Sequence, residues 1–262
     1  MRAGSSGNTE TGATARIPDG RRVYAVGDIH GRHDLLVRLQ AMIRDDAAAA
    51  APAECVVVYL GDYIDRGAAS FEVIDTLIHD RLPDFAHVFL KGNHEDMMLK
   101  YLAGGPASTW LFNGGIAVLA SYGVLGGGGF SIGLDLDELR RNLIAALPPA
   151  HRQFLDALQL RHVEGDYLFV HAGIEPQRPW AEQGEEVLLW IRGPFLRCTD
   201  WLGKRVVHGH SITAEPEIRP NRIGIDTGAF NSDRLTCAVL EGDRVRFLQT
   251  STAQMATGCE EI

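Results

Sequence analysis

With 262 residues, 45% of them hydrophobic, the chain is long enough to bury the core of one large α/β domain or two small ones. A formal net charge of -9 argues against sequence-independent nucleic-acid binding, which needs a basic face to neutralise phosphates; it leaves room for a small phosphorylated substrate held by a few arginines. Four cysteines with no CxxC pair are too few for a disulfide scaffold, no apolar run is long enough to span a membrane, and the N-terminus lacks the charged-then-apolar plan of a signal peptide, so cytoplasmic residence is expected.

Residues 1–20 are rich in Gly, Ser, Thr and Ala, show no apolar period, and read as a disordered tail. Val23-Tyr24-Ala25-Val26 starts a first strand, after which Leu35, Leu39, Met42 and Ile43 recur at helical spacing. Val56-Val57-Val58-Tyr59-Leu60 is a continuous apolar run, as expected of a strand buried on both faces. Val73, Ile74, Leu77 and Ile78 mark a second helix and His87-Val88-Phe89-Leu90 a third strand. Met97, Met98, Tyr101 and Leu102 form the inner side of a helix beginning near His94. This β-α-β-α-β order predicts a parallel sheet with right-handed crossovers.

From about residue 104 to 160 the pattern is helical, broken by four glycines at 126–129 and by Pro148-Pro149. It reads as a helical insert beside the sheet, with the glycine run as a mobile loop. Strands return at Tyr167-Val170, Arg205-His208, Ile223-Asp226 and Leu235-Leu240, and Glu241-Gly242-Asp243 turns into a partner strand at Val245-Leu248. A single domain is expected over 21–250, followed by a tail at 251–262. Trp110, Phe112, Trp180 and Trp201 are assigned mostly to the core.

Five short motifs follow predicted strands: Gly27-Asp28-Ile29-His30-Gly31, Gly61-Asp62-Tyr63-Ile64-Asp65-Arg66-Gly67, Gly92-Asn93-His94-Glu95, His171-Ala172-Gly173 and His208-Gly209-His210. Strand ends are where open α/β sheets bind ligands, so five separate loops can converge on one crevice. Each motif alone has a plain structural account. An Asp after a strand caps a helix, Gly-Asn makes a turn, and a lone His packs in the core. All five together ask for more. Asp28, His30, Asp62, Asn93, His171 and His210 mix carboxylate, amide and imidazole donors, which suit Mn, Fe or Zn, and the absence of thiolate argues against a structural zinc. Six ligands exceed one open catalytic metal and suit two ions sharing a carboxylate.

The ordered set GDIHG, GDYIDRG, GNHE, HAG and HGH resembles the phosphoprotein phosphatase family of binuclear metallophosphoesterases, over about Arg22 to Leu248. Its bacterial serine/threonine phosphatase branch is the nearest match, close to the symmetrical diadenosine tetraphosphatases. The resemblance implies an α/β, calcineurin-like metallophosphoesterase fold, with a β-sandwich core flanked by helices and carrying a helical insert. It implies that Asp28 and His30 bind a first metal, that Asp62 bridges, and that Asn93, His171 and His210 bind a second. The expected cofactors are two divalent ions, Mn first and Fe or Zn as alternatives. His94 would be the general acid oriented by Asp65, and Arg66 and Arg192 would hold phosphate oxygens. Glu95 is the least certain motif residue, a support for a neighbouring ligand.

The function so implied is hydrolysis of phosphoserine and phosphothreonine monoesters by direct attack of a water bridging two metals. The substrate is a phosphorylated protein or small phosphate ester, with no nucleic-acid or membrane partner. Two alternatives stand beside it. One is a symmetrical dinucleoside tetraphosphate hydrolase using the same metals. The other is a catalytically silent metal-binding module, disfavoured because every ligand and the acid are present.

Overall fold

The computed structural model describes residues 15–125 and 135–250. The glycine run expected to be mobile, the first fourteen residues and the tail 251–262 lie outside them. The β-α-β-α-β start is as the sequence patterns require: β1 (Arg21–Val26), α1 (His33–Ala49), β2 (Glu54–Tyr59), α2 (Ser70–His79), β3 (Ala86–Phe89) and then α3 (Asn93–Leu102). β1–β2 and β2–β3 pair in parallel. The insert follows as α4 (Ala107–Trp110), a kinked turn at Leu111–Gly115, α5 (Ile116–Ser121), α6 (Leu136–Ala146) and α7 (Pro149–Asp156).

The C-terminal half adds β4 (Arg161–Glu164), β5 (Tyr167–Val170), α8 (Glu185–Trp190), α9 (Gly193–Leu196), β6 (Arg205–His208), β7 (Glu217–Ile218), β8 (Arg222–Gly224) and α10 (Ala229–Ser232), then the hairpin of β9 (Thr236–Glu241) and β10 (Arg244–Gln249). Two five-stranded sheets result, ordered β10-β9-β1-β2-β3 and β4-β5-β6-β8-β7. β4 and β7 are short edge strands that pair antiparallel with β5 and β8. Four and two residues long, they are too short to show a period in sequence.

The apolar run of β2 explains the layering. Successive strand side chains point to opposite faces. Val57 and Tyr59 therefore pack with Leu35, Leu39, Val73 and Met98 from the helices, while Val56 and Val58 face Phe169, Val207 and Ile223 of the other sheet. The sandwich interior is that second layer. A third layer covers the far sheet, where Leu168, Val170 and Val206 meet Leu188 and Phe195 of α8 and α9. No helix among the described residues is long and apolar enough to cross a membrane.

Two expectations need correction. The tail does not reach residue 20: Ala15 and Ile17 are buried in the sandwich interior. The Ile17 N–H donates to the Gly242 carbonyl at 2.8 Å, and the Asp166 N–H donates to the Arg16 carbonyl at 2.9 Å. Ala15 and Ile17 alternate with period two, but two apolar residues are too short a pattern to stand out from their Gly/Ser/Thr surroundings. The second correction concerns the aromatics. Trp110 is core and Trp180 packs against the outer layer, but Phe112 is 91% exposed and Trp201 51% exposed.

Ile17→Ala should therefore lower the unfolding free energy by about 2–4 kcal/mol in a urea melt, the usual cost of truncating a buried isoleucine. A change below about 0.5 kcal/mol would mean that this segment contributes no packing.

Candidate metal centre

The six candidate ligands all sit just past strand ends, and all are buried. Asp28 and His30 follow β1, Asp62 follows β2, Asn93 opens α3 after β3, His171 follows β5, and His210 follows β6. Both sheets thus send ligands into one crevice. The loops are conformationally costly. Among the described residues, seven non-glycine residues have positive φ, and five of them are His30, Asp62, Asp65, Arg66 and His210. Left-handed backbone is unfavourable for residues with a Cβ, so it persists only where the surroundings fix it. Two glycines answer a different need. A Cβ on Gly92 would lie 2.0 Å from Asp62 Oδ1, and one on Gly209 would lie 2.0 Å from Asp28 Oδ1. Only glycine lets those carboxylates approach.

The placement of protons shows what the crevice is built to hold. Burial lowers the His30 pKa to about 3 and lowers that of His171 as well, so both rings are neutral. His30 Nδ1–H donates to the Ile64 carbonyl and His171 Nδ1–H to the Leu60 carbonyl, each at 2.9 Å. Both Nε2 atoms are left as unprotonated acceptors, and each lies 3.5 Å from the same oxygen, Asp62 Oδ2. Asn93 Oδ1, another lone-pair atom, is 2.9 Å from His171 Nε2 and 2.9 Å from His210 Nδ1. His210 Nε2 is buried without a partner. Converging acceptors with too few protons between them repel one another and favour a cation.

The atoms fall into two groups sharing Asp62: His30, Asp62 and His94 on one side, Asp62, His171 and His210 on the other. Asp28 is in neither group and lies beside the second, accepting the His210 main-chain N–H at 3.1 Å. Main-chain carbonyls fixing the far nitrogen, as at His30 and His171, are the usual support of a metal-binding histidine. The donor set, nitrogen and oxygen without sulfur, fits a divalent transition ion.

A family profile for calcineurin-like phosphoesterases matches residues 21–214. The chain belongs to the calcineurin-like phosphoesterase family. It is 34% identical over 226 residues to serine/threonine-protein phosphatase 2 of Salmonella typhimurium (strain LT2), a match covering 82% of this chain and 91% of the relative. It is 29% identical over 182 residues to the symmetrical bis(5'-nucleosyl)-tetraphosphatase of Dechloromonas aromatica (strain RCB), covering 66% of this chain and 52% of that protein. Among solved structures, a mutant of a cold-active protein tyrosine phosphatase superposes with a TM-score of 0.58 at 18% identity, covering 88% of this chain and 80% of the other; it shares the fold. The chain is therefore a metal-binding phosphoesterase and an enzyme of that family.

The ligands need support to stay in place, and that support is visible. Glu95 accepts N–H groups from Asp62 at 2.9 Å, Tyr63 at 2.8 Å and Gly92 at 2.9 Å. It therefore ties the β2 loop to the start of α3. Burial and the nearby Asp62 push its pKa up to about 8, against the pull of those N–H groups. Asp62 itself is held below the ordinary carboxylate range: burial opposes ionisation, but the charge of His94 and the His94 main-chain N–H bonded to Oδ1 favour the carboxylate. Beside the six ligands, His94 Nδ1 lies 2.5 Å from Asp65 Oδ2. Arg66 donates to His30 Nε2 at 3.0 Å, and its other terminal nitrogen lies 3.1 Å from His94 Nε2. Arg192 and Trp190 complete the mouth of the crevice, whose volume is about 220 Å³.

Three residues near the centre had no assigned part in the sequence reading. Asp226, past β8, is buried beside Asp28, and burial raises its pKa to about 6. It had the same signal as the assigned ligands, a carboxylate ending a predicted strand. Phe230 lies under Arg66, the guanidinium carbon 4.6 Å from the ring centroid. Trp110, read only as a core aromatic, donates its indole N–H to Asp65 Oδ1 at 3.0 Å. Neither aromatic stands in a motif, so nothing local in the sequence marked them.

Glu95→Gln should weaken divalent-metal binding by about 10–100-fold in isothermal titration, because an amide presents donors to N–H groups that need an acceptor. Unchanged affinity would mean that the β2 loop holds its shape without Glu95.

Proposed function

We propose that this centre holds two divalent ions, manganese in the first instance, and that the chain hydrolyses phosphoserine and phosphothreonine monoesters. The observation that carries the reading is Asp62 Oδ2, 3.5 Å from the Nε2 of His30 and 3.5 Å from that of His171. One oxygen between two imidazoles of opposite groups is what a bridging carboxylate needs. Asp28 and His30 would complete the first site; Asn93, His171 and His210 would complete the second. Bound there, divalent ions supply an acidified water as nucleophile and neutralise charge on the phosphoryl group.

The residues around the ions divide the remaining work. Arg66 and Arg192 face the crevice and would hold phosphate oxygens, with planar guanidiniums suited to two oxygens at once. Phe230 braces Arg66 from below. His94 shares a group with His30 and Asp62, yet its environment differs from that of His30. His30 Nδ1 meets a carbonyl and the ring is neutral; His94 Nδ1 meets the Asp65 carboxylate. Burial alone would pull the His94 pKa down, but Asp62 and Asp65 reverse this and hold it above the ordinary histidine value. A proton-retaining imidazole with Nε2 turned to the crevice suits a general acid for the leaving oxygen.

The substrate preference follows the longer match, to the Salmonella serine/threonine phosphatase, which spans 82% of this chain. The match to a symmetrical tetraphosphatase over 66% of the chain favours the second reading, dinucleoside tetraphosphates cleaved with the same residues. We place the activity in the cytoplasm, in keeping with three free cysteines among the described residues.

His94→Asn should reduce kcat by roughly 10²–10⁴-fold with metal content near normal by elemental analysis. Asp62→Asn should lose both metal and activity. Near-normal turnover in either variant would remove the role given to that residue. Protein stripped by chelation and restored with Mn should hydrolyse a phosphoserine peptide and leave diadenosine tetraphosphate largely intact. The opposite preference would move the enzyme to nucleotide hydrolysis.

A further inference from the structure

We infer that Trp110, contributed by the helical insert, is a positioning residue for the His94–Asp65 pair and so for protonation of the leaving group. The inference rests on the general-acid reading of His94. Asp65 is fully buried, and each of its carboxylate oxygens has one side-chain partner. Oδ2 lies 2.5 Å from His94 Nδ1 and Oδ1 accepts the Trp110 indole N–H at 3.0 Å. A carboxylate bonded only through Oδ2 could rotate about its terminal torsion, which is broad. The indole N–H fixes that rotation, keeps Oδ2 in line with Nδ1–H, and so keeps His94 Nε2 directed at the crevice.

The tryptophan is itself held rigidly. Its ring centroid is 4.9 Å from that of Tyr101. On its other side it passes Gly115, where a Cβ would lie 2.6 Å from the ring. Packing alone would be served by phenylalanine. What phenylalanine lacks is the N–H, and the acceptor that this N–H meets is Asp65. The same turn of chain reaches the next residue as well: the Arg66 N–H donates to the Gly114 carbonyl at 3.3 Å. Gly114 has φ of 115°, at the kink that separates α4 from α5. The insert thus grips two successive residues of the β2 loop, Asp65 bonded to His94 and Arg66 lining the crevice.

The test exploits leaving-group chemistry. A general acid matters for an alkoxide, which must be protonated as it departs, and matters little for 2,4-dinitrophenolate, which departs as an anion. Trp110→Phe in the Mn-loaded full chain should reduce kcat on a phosphoserine peptide by roughly tenfold, with KM changed less than about twofold, while kcat on 2,4-dinitrophenyl phosphate changes less than about twofold. Because removal of the indole could simply loosen the insert, the second variant carries benzothienylalanine at 110, which keeps the ring shape and replaces N–H by sulfur. It should reproduce the selective loss with metal content and melting temperature near wild type. Equal losses on both substrates, or wild-type turnover with benzothienylalanine, would overturn the inference. His94→Asn on the same two substrates separates the levels. If it shows the selective loss and the Trp110 variants do not, only the role of Trp110 falls. If His94→Asn shows no selectivity, the general-acid reading falls with it.

Discussion

The centre depends on where Asp62 is held. Its Oδ2 faces His30, His171 and His94, and its Oδ1 accepts the His94 N–H at 3.0 Å. A buried carboxylate is costly without compensation, and a left-handed backbone adds to the cost. The compensation comes from the neighbouring strands: Glu95 accepts the Asp62 N–H, and the Ile29 and His30 N–H groups donate to the Asp62 carbonyl at 3.0 and 2.9 Å. The loops after β1, β2 and β3 are therefore one hydrogen-bonded unit. None of the three can move without disturbing the carboxylate at its centre.

The sandwich makes the other half of the site possible. A single parallel sheet delivers ligands along one line of strand ends. Two facing sheets deliver them from both sides of a crevice, so a carboxylate from one sheet can meet imidazoles from the other. His171 crosses that boundary twice, since its Nδ1–H donates to the Leu60 carbonyl of the first sheet while its Nε2 faces Asp62. The close packing of Val56, Val58, Phe169 and Val207 is what sets the spacing between the two sets of loops. Core and chemistry are coupled here through distance: a shift between the sheets would open the gap between ligands that belong to different layers.

The legibility of the sequence follows from this arrangement. Polar residues in loops between periodic segments break the apolar pattern, so the candidate ligands Asp28, Asp62, Asn93, His171 and His210 stood out where strands ended. The parallel start was legible because Val56 to Leu60 is apolar on both faces, and helical stripes separated it from its neighbours. What was hidden involves pairs far apart in the chain. Asp28 and Asp226 are 198 positions apart and meet only because β1 and β8 end at the same crevice. Trp110 and Asp65 meet only once the insert has folded back onto the β2 loop. Ala15 and Ile17 gave too short a pattern for their burial between sheets to be visible. A pattern read along the chain registers periodicity; it does not register which loops a second sheet will bring opposite.

The insert is more than cover for the sheet. Asp65 and Arg66 are consecutive, with φ of 71° and 67°, and this pair of left-handed residues sends one side chain back to His94 and the other out over Phe230. Two adjacent strained residues on a free loop would relax toward ordinary backbone. Here Trp110 bonds the first and the Gly114 carbonyl bonds the second, so the strained geometry is over-determined by a segment from outside the sandwich. The same segment places Asn113 at the crevice lip, opposite Trp190, Arg192 and Ile212. A change in the insert that reshaped the lip for another substrate would therefore also act on Asp65 and Arg66. The shape of the crevice lip and the setting of Asp65 and Arg66 are therefore linked, because both pass through the turn between Trp110 and Gly115.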